Sequence, residues 1–462
     1  MTSFIGLLPA IIAFRLAMNK SVGEAFMRVY IPTLLCLPDN YRVVTPGLPD
    51  PTFGQGVAVA LLIAAFMRDG LKGYRFSHMD VVVGIYAFCV TNSEYQASGY
   101  SDAQNLGFEV LFAIVMPYLM AKSFIEPHGL RFEFAKRVVV CLAIVSILNI
   151  YEAKFAVNLW QKFIGPFFPG QISNWGVTFR FGMVRTSGPY ANALLAGIIM
   201  MVGFRIQRWL HYSGAWPDKI KQMPWLPIKF PQFMTLVLTG GFFITFAKGS
   251  WLAGILAGFV VAVGRVKNRV LALSVVVGAI VFIGIPALIS FINYASVGRA
   301  NAKDDNQETA CYRYELVFLY LDIAKEKSWW GWGLTKWPQV LGAPSIDNHF
   351  LLLFLMHGKV AFNCFLYILF GTMIRLIVYA TKIPPPPRSG GSLAFNLAGI
   401  YLGYIIAIAT VYMGKQTVPL LFIITGWAEG FMVNRGQDRL PSDSDSTEPP
   451  APPSLYRFKR VV

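Results

Sequence analysis

Apolar runs of about 14 to 25 residues recur along the whole chain, broken by shorter stretches that carry most of its charge. Runs of that length match a hydrocarbon layer of roughly 30 Å crossed at about 1.5 Å per residue of helix. The pattern predicts membrane helices over residues 4–18, 24–38, 55–68, 79–92, 108–122, 137–152, 189–206, 234–247, 249–264, 269–292, 349–379, 393–413 and 418–434. Three polar interruptions on one side are substantial: residues 39–54, 153–188 and 293–348. Within the last, Leu316, Leu319 and Ile323 recur at helical spacing, which predicts an amphipathic helix over 312–323 with Arg313 near its start. The predicted fold is all-α, a polytopic transmembrane bundle of about 12–13 helices. Residues 1–434 form one transmembrane domain, and 293–348 is an extracytoplasmic loop within it. Residues 435–462, rich in proline and holding Ser442, Asp443, Ser444 and Asp445, cannot bury a core and read as a disordered cytoplasmic tail.

Composition agrees with the pattern and narrows it. Of 462 residues, 55% are hydrophobic and 14% charged, against roughly 25% charged in a soluble domain. This excludes a disulfide-stapled secreted domain, a soluble enzyme with one anchor, and an outer-membrane barrel. The formal charge of +16 would suggest nucleic acid in a soluble chain. Here the basic residues gather on one side: Arg68, Lys72 and Arg75; Lys122, Arg131, Lys136 and Arg137; Arg205, Arg208, Lys219, Lys221 and Lys229; Arg265, Lys267 and Arg269. The excess is therefore an orientation signal that makes this side cytoplasmic, and no nucleic-acid partner is expected. Pro384 to Pro387 read as a stiff cytoplasmic connection. Arg15 and Lys20 follow the first run, which lacks a small-residue cleavage pattern, so it reads as a retained helix.

Candidate chemistry lies on the opposite side. Cys36, Cys89, Cys141 and Cys364 sit in or beside apolar runs as small hydrophobes, while Cys311 lies in the long loop, where a bridge to Cys36 is one option. No cluster with metal-ligand spacing appears, so no metal or other cofactor is expected. Arg185 stands beside Thr186, Ser187, Gly188 and Pro189 at a helix mouth. It could grip a diphosphate with its planar fork, aided by those hydroxyls and the helix amides, or simply reach lipid headgroups. Lys248 occupies a turn between two apolar runs, as an anion ligand or an interfacial anchor. Trp329, Trp330, Trp332 and Trp337 offer a sugar-stacking surface or an interfacial belt, with Trp332 and Trp337 the residues taken as glycan-contacting. His349 follows Asp347 and Asn348 where the loop re-enters the membrane, and can exchange a proton near neutral pH. His357, inside an apolar run, reads as an interhelical hydrogen-bonder.

Three strings in this order resemble the O-antigen ligase and polymerase superfamily of bacterial inner-membrane glycosyltransferases, over about residues 185–375: Arg185-Thr186-Ser187-Gly188, Lys248-Gly249-Ser250-Trp251, and Arg313 through Gly331-Trp332-Gly333 to Asp347-Asn348-His349. The resemblance implies a glycan donor on an undecaprenyl-diphosphate carrier, used at the periplasmic face without metal or nucleotide sugar. It implies diphosphate binding by Arg185 and Arg313 and activation of the acceptor hydroxyl by His349. Lys248 stands where the family commonly has arginine, keeping the charge but losing the fork. The acceptor is lipid A core, another lipid-linked glycan or a protein hydroxyl. Residues 39–54 resemble exopolysaccharide-cluster members and tilt the expectation toward polymerisation. The competing readings are a transporter or flippase, for which Lys359 and Glu429 are the ionisable residues inside apolar runs, and a non-catalytic scaffold of a polysaccharide assembly complex.

Overall fold

The computed structural model describes residues 2–44, 49–68, 74–172, 176–219, 227–343, 345–383 and 391–434. Lys72, Lys221, the connection Pro384 to Pro387 and the tail 435–462 lie outside the described residues.

Every predicted apolar run overlaps a helix: α1 Leu8–Asn19, α2 over residues 22–36, α3 Phe53–Met67, α4 His78–Ser98, α5 Tyr100–Phe124, α6 Arg131–Phe155, α7 Ala193–Tyr212, α8 Phe230–Phe243, α9 Lys248–Val263, α10 Arg269–Ala295, α12 His349–Lys382, α13 Leu393–Ile408 and α14 Thr417–Val433. The loop helix, α11, spans Asp305–Glu326. Helices α5, α6, α7, α10 and α12 are long and apolar enough to cross a membrane. The inner layer is α13 and α14, almost wholly buried, with α9 packed on α13 and α5 on α14. By contrast, α10 buries none of its most apolar window. Phe282, Ile283 and Leu288 point outward, an arrangement that only a lipid surround makes favourable.

The predicted sidedness reappears in the contacts. At one end, the Arg42 amide donates to Gln171, Gln416 donates to the carbonyls of Leu37 and Pro189, and the Leu334 amide donates to Glu94. At the other end, Arg68 donates to the carbonyls of Ala17 and Lys20, and Arg269 to those of Ala380 and Ile383. Lys122 meets Asp80 there at 2.6 Å in a pair only 2% and 7% exposed, to which Tyr74, Tyr118 and Ser77 also bond. Removing one partner of such a pair strands the other charge. Lys122→Met is expected to cost about 3–5 kcal/mol, and adding Asp80→Asn to recover most of it, measured as unfolding midpoints in detergent. Equal midpoints for the single and double variants would show that the pair does not act as a unit.

Three local expectations need correction. The amphipathic helix begins at Asp305, capped by Asp304, whose side chain accepts from the Gln307 amide, so Arg313 lies well inside it. The helix after Arg185 starts only at Ala193, capped by Asn192. Arg185 itself is on a hairpin of β1 Thr178–Arg180 and β2 Met183–Arg185, paired antiparallel with Thr178 opposite Arg185. Finally, α12 is not straight. At Gly358 the backbone takes φ 73° and the chain turns sharply, so that the rings of His349 and Phe365 stand 5.4 Å apart, where a straight helix would separate them by about 24 Å.

Candidate functional site

The hairpin docks on the turn between α8 and α9. The Thr186 amide and hydroxyl donate to the Ile244 carbonyl at 3.3 Å, Arg180 donates to the Phe246 carbonyl at 3.0 Å, and Arg185 Nε makes a long 3.5 Å bond to the Thr245 carbonyl. Lys248, the first residue of α9, is exposed and lies 5.4 Å from the centre of the Phe181 ring. Arg180 and Arg185 project from the same hairpin face, because residue i on one strand and its diagonal neighbour on the other share a side. Three cations are thereby gathered on one turn, and among the described residues none of them forms an ion pair with a carboxylate. Arg185 Nη2 is buried without a partner. Burial first, then the charge of Arg180, lowers the Arg185 pKa from the usual arginine range. A bound anion would relieve both effects.

Sequence reasoning missed Arg180. Its signal was the Thr178-Phe179-Arg180-Phe181-Gly182-Met183-Val184-Arg185 string, a short alternation around a glycine that marks a hairpin. The helpers expected for Arg185 are also committed elsewhere. Ser187 and Gly188 donate their amides to the buried carboxylate of Glu152 at 2.9 Å each, and the Ser187 hydroxyl follows at 3.3 Å. Asn158 donates to the same carboxylate and to the Gly188 carbonyl. Glu152, at the end of α6, thus fixes the backbone just after Arg185. Glu152→Ala would orphan several buried donors and is expected to cost about 2–4 kcal/mol and to weaken anion binding through Arg185. Thermal unfolding and a rise in KM report the two effects, and unchanged values of both would remove Glu152 from the site.

The second group is built on α11 and α12. Leu316, Tyr320 and Ala324 of α11 pack with Ala343, Ile346, Leu351 and Leu355 in a core separate from the main one. Arg313 precedes Tyr320 by about two turns. It is exposed, with no ion pair among the described residues. Residues Trp329–Gly333 close over the corner of α12: the Trp332 amide donates to Leu355, that of Gly333 to Met356, and that of Lys359 to Ser328. Gly331 and Gly358 both have positive φ, and a Cβ on either would strike backbone of the other strand. The Gly331-Trp332-Gly333 string is therefore a backbone crossing. Trp332 and Trp337 are half-buried and donate their indoles to Ile323 and Leu334, whereas Trp329 and Trp330 are exposed.

His349 is buried at 8% exposure, and neither ring nitrogen has a hydrogen-bond partner, an under-satisfied state uncommon in folded proteins. It lies with Leu353 on the main-core side of α12, and Leu351 and Leu355 face α11. Among the described residues no hydrogen bond or ion pair joins His349 or Arg313 to Arg180, Arg185 or Lys248. His357 bonds Ser93 of α4 at 2.6 Å, in the interhelical role expected for it. Lys359 rests over the Trp329 ring, and Glu429 accepts from Arg375. All five cysteines are free, and Cys36 donates to the Cys141 carbonyl.

No curated protein matches the chain. Residues 233–372 match the family model described as O-antigen ligase, a segment that includes Lys248, Arg313, Trp332, Trp337 and His349 and leaves Arg180 and Arg185 outside. With that match and its polytopic helical fold, the chain is a multi-pass membrane protein whose residues 233–372 are similar to the O-antigen ligase family.

Proposed function

We propose that the protein transfers a glycan from an undecaprenyl-diphosphate carrier to an acceptor hydroxyl at the periplasmic face of a bacterial inner membrane, without a metal ion. The acceptor oxygen attacks the anomeric carbon as His349 takes its proton. The bond from that carbon to the diphosphate breaks, and the lipid diphosphate leaves with the electron pair. Arg185, Arg180 and Lys248 compensate the growing negative charge in place of a divalent cation, with Arg313 joining them as donor binds. The observation that carries this reading is the gathering of three cations on one turn, with no carboxylate among the described residues to neutralise them. Such a set is costly unless an anion completes it. Trp329 and Trp330, more exposed than Trp332 and Trp337, are the better-placed rings for stacking on sugar.

The test is a deletion strain restored with wild type or Arg185→Ala at equal membrane abundance, with lipid-linked and finished glycans resolved by size. The proposal expects lipid-linked glycan to accumulate in the variant. Single repeats piling up identify a polymerase, the favoured form, and long unattached chains a ligase. A glycan profile like that of wild type would remove Arg185 from the reaction.

A further inference from the structure

A second arginine cluster occupies the far ends of the same two helices. On α7, Arg205 and Arg208 lie about 18 and 23 Å along the axis from Ala193. Arg265 follows the end of α9, about 26 Å from Lys248. These three thus stand at the ends of α7 and α9 opposite the hairpin site. Tyr212 gathers two of the three guanidiniums: Arg265 lies 3.4 Å from its ring centre and Arg208 4.5 Å, and Arg208 also bonds its hydroxyl. Arg205 lies in a groove left by Gly254 and Gly258 of α9, donating to the Gly254 carbonyl at 2.6 Å. Its Nε is buried and has no partner.

Ordinary positive-inside residues are dispersed and solvated, whereas these three converge on one tyrosine and one groove. Asp218 is engaged by Lys229 and Glu133 by Arg137. Among the described residues no carboxylate pairs with Arg205, Arg208 or Arg265. Aromatic faces orient a guanidinium but supply no full countercharge. The missing component is an anion with several acceptor oxygens that match planar forks, which is the chemistry of a phosphate.

We propose that Arg205, Arg208, Arg265 and Tyr212 form a binding site for a phosphate ester at the end of the bundle opposite the hairpin, filled by the headgroup of an anionic phospholipid in that leaflet. A basic pocket between helices at the membrane surface suits such a headgroup.

The test uses the full chain in nanodiscs of phosphatidylcholine with or without phosphatidylglycerol, with retained lipids counted by native mass spectrometry. Wild type is expected to keep phosphatidylglycerol in preference to phosphatidylcholine, and Arg208→Gln with Arg265→Gln to lose about five-fold in retention for each charge removed. The Arg208→Lys, Arg265→Lys variant should keep much of the binding, which guards against simple misfolding. Lys229→Gln, whose charge is already paired, should bind like wild type. In a second arm, inorganic phosphate is added to phosphatidylcholine-only discs and the unfolding temperature compared with chloride of equal ionic strength. A shift confined to wild type would mean that free phosphate is the occupant, which also supports the site. Equal phosphatidylglycerol retention by wild type and the glutamine variant, without a phosphate shift, overturns the proposal. So does an equal loss in Lys229→Gln, which would reduce the effect to general charge.

Discussion

His349→Ala is expected to lower glycan transfer by about 10²–10⁴-fold, the range for loss of a positioned general base, at unchanged membrane abundance. Both expectations follow from one observation: the imidazole is buried, yet neither nitrogen bonds to protein. Removing it therefore breaks no hydrogen bond and leaves the ring of Phe365 as its main lost neighbour. His357 provides the contrast, because its ring is bonded to Ser93. His357→Ala is expected to cost about 1–3 kcal/mol in stability and to keep transfer per folded molecule. Transfer rates normalised to folded protein separate the two. If His357→Ala abolishes transfer and His349→Ala does not, the roles are wrongly assigned.

A large effect on stability is expected at the corner of α12. At Gly358, a side chain meets two penalties at once, a left-handed backbone and the carbonyl of Trp329 in its path. Positive φ costs an L-residue roughly 1–2 kcal/mol, and overpacking against backbone that cannot yield adds about 1–3 kcal/mol. Gly358→Ala is therefore expected to lose about 3 kcal/mol or more, to loosen Trp329–Gly333 and to displace His349. Gly342 is the control, since it also has positive φ but nothing within 4 Å of its Cβ position. Gly342→Ala should show the backbone penalty alone. Unfolding midpoints in detergent decide this, and equal losses at both glycines would show that the crossing is not tight.

The helices were legible because a bilayer demands long apolar runs, and these leave a signal that needs no tertiary information. The corner at Gly358 was not legible. Residues 349–379 read as one run without proline, and what bends it is a backbone crossing from residues 329–333, a remote partner. The start of α11 was legible in principle, since Asp304, Asp305 and Glu308 form a cap and an acidic first turn. Attention to apolar spacing alone placed it too late. At the hairpin, Gly188 and Pro189 look like a helix mouth, and only the contacts with Ile244, Thr245 and Phe246 reveal a docked strand pair that carries Arg180 beside Arg185. Residue type and chain order alone singled out Arg185, Lys248 and Arg313. Their grouping depended on which loops touch.

The transfer proposed for this chain cleaves a lipid diphosphate-linked glycan and passes the sugar to a hydroxyl. Its most direct test places the purified chain in nanodiscs with a synthetic undecaprenyl-diphosphate oligosaccharide and a glycan acceptor, in the presence of a chelator. Elongated acceptor and released undecaprenyl diphosphate are expected in equal amounts, both lost in His349→Ala. Intact donor under these conditions, or donor moved across a sealed vesicle without cleavage, would contradict it.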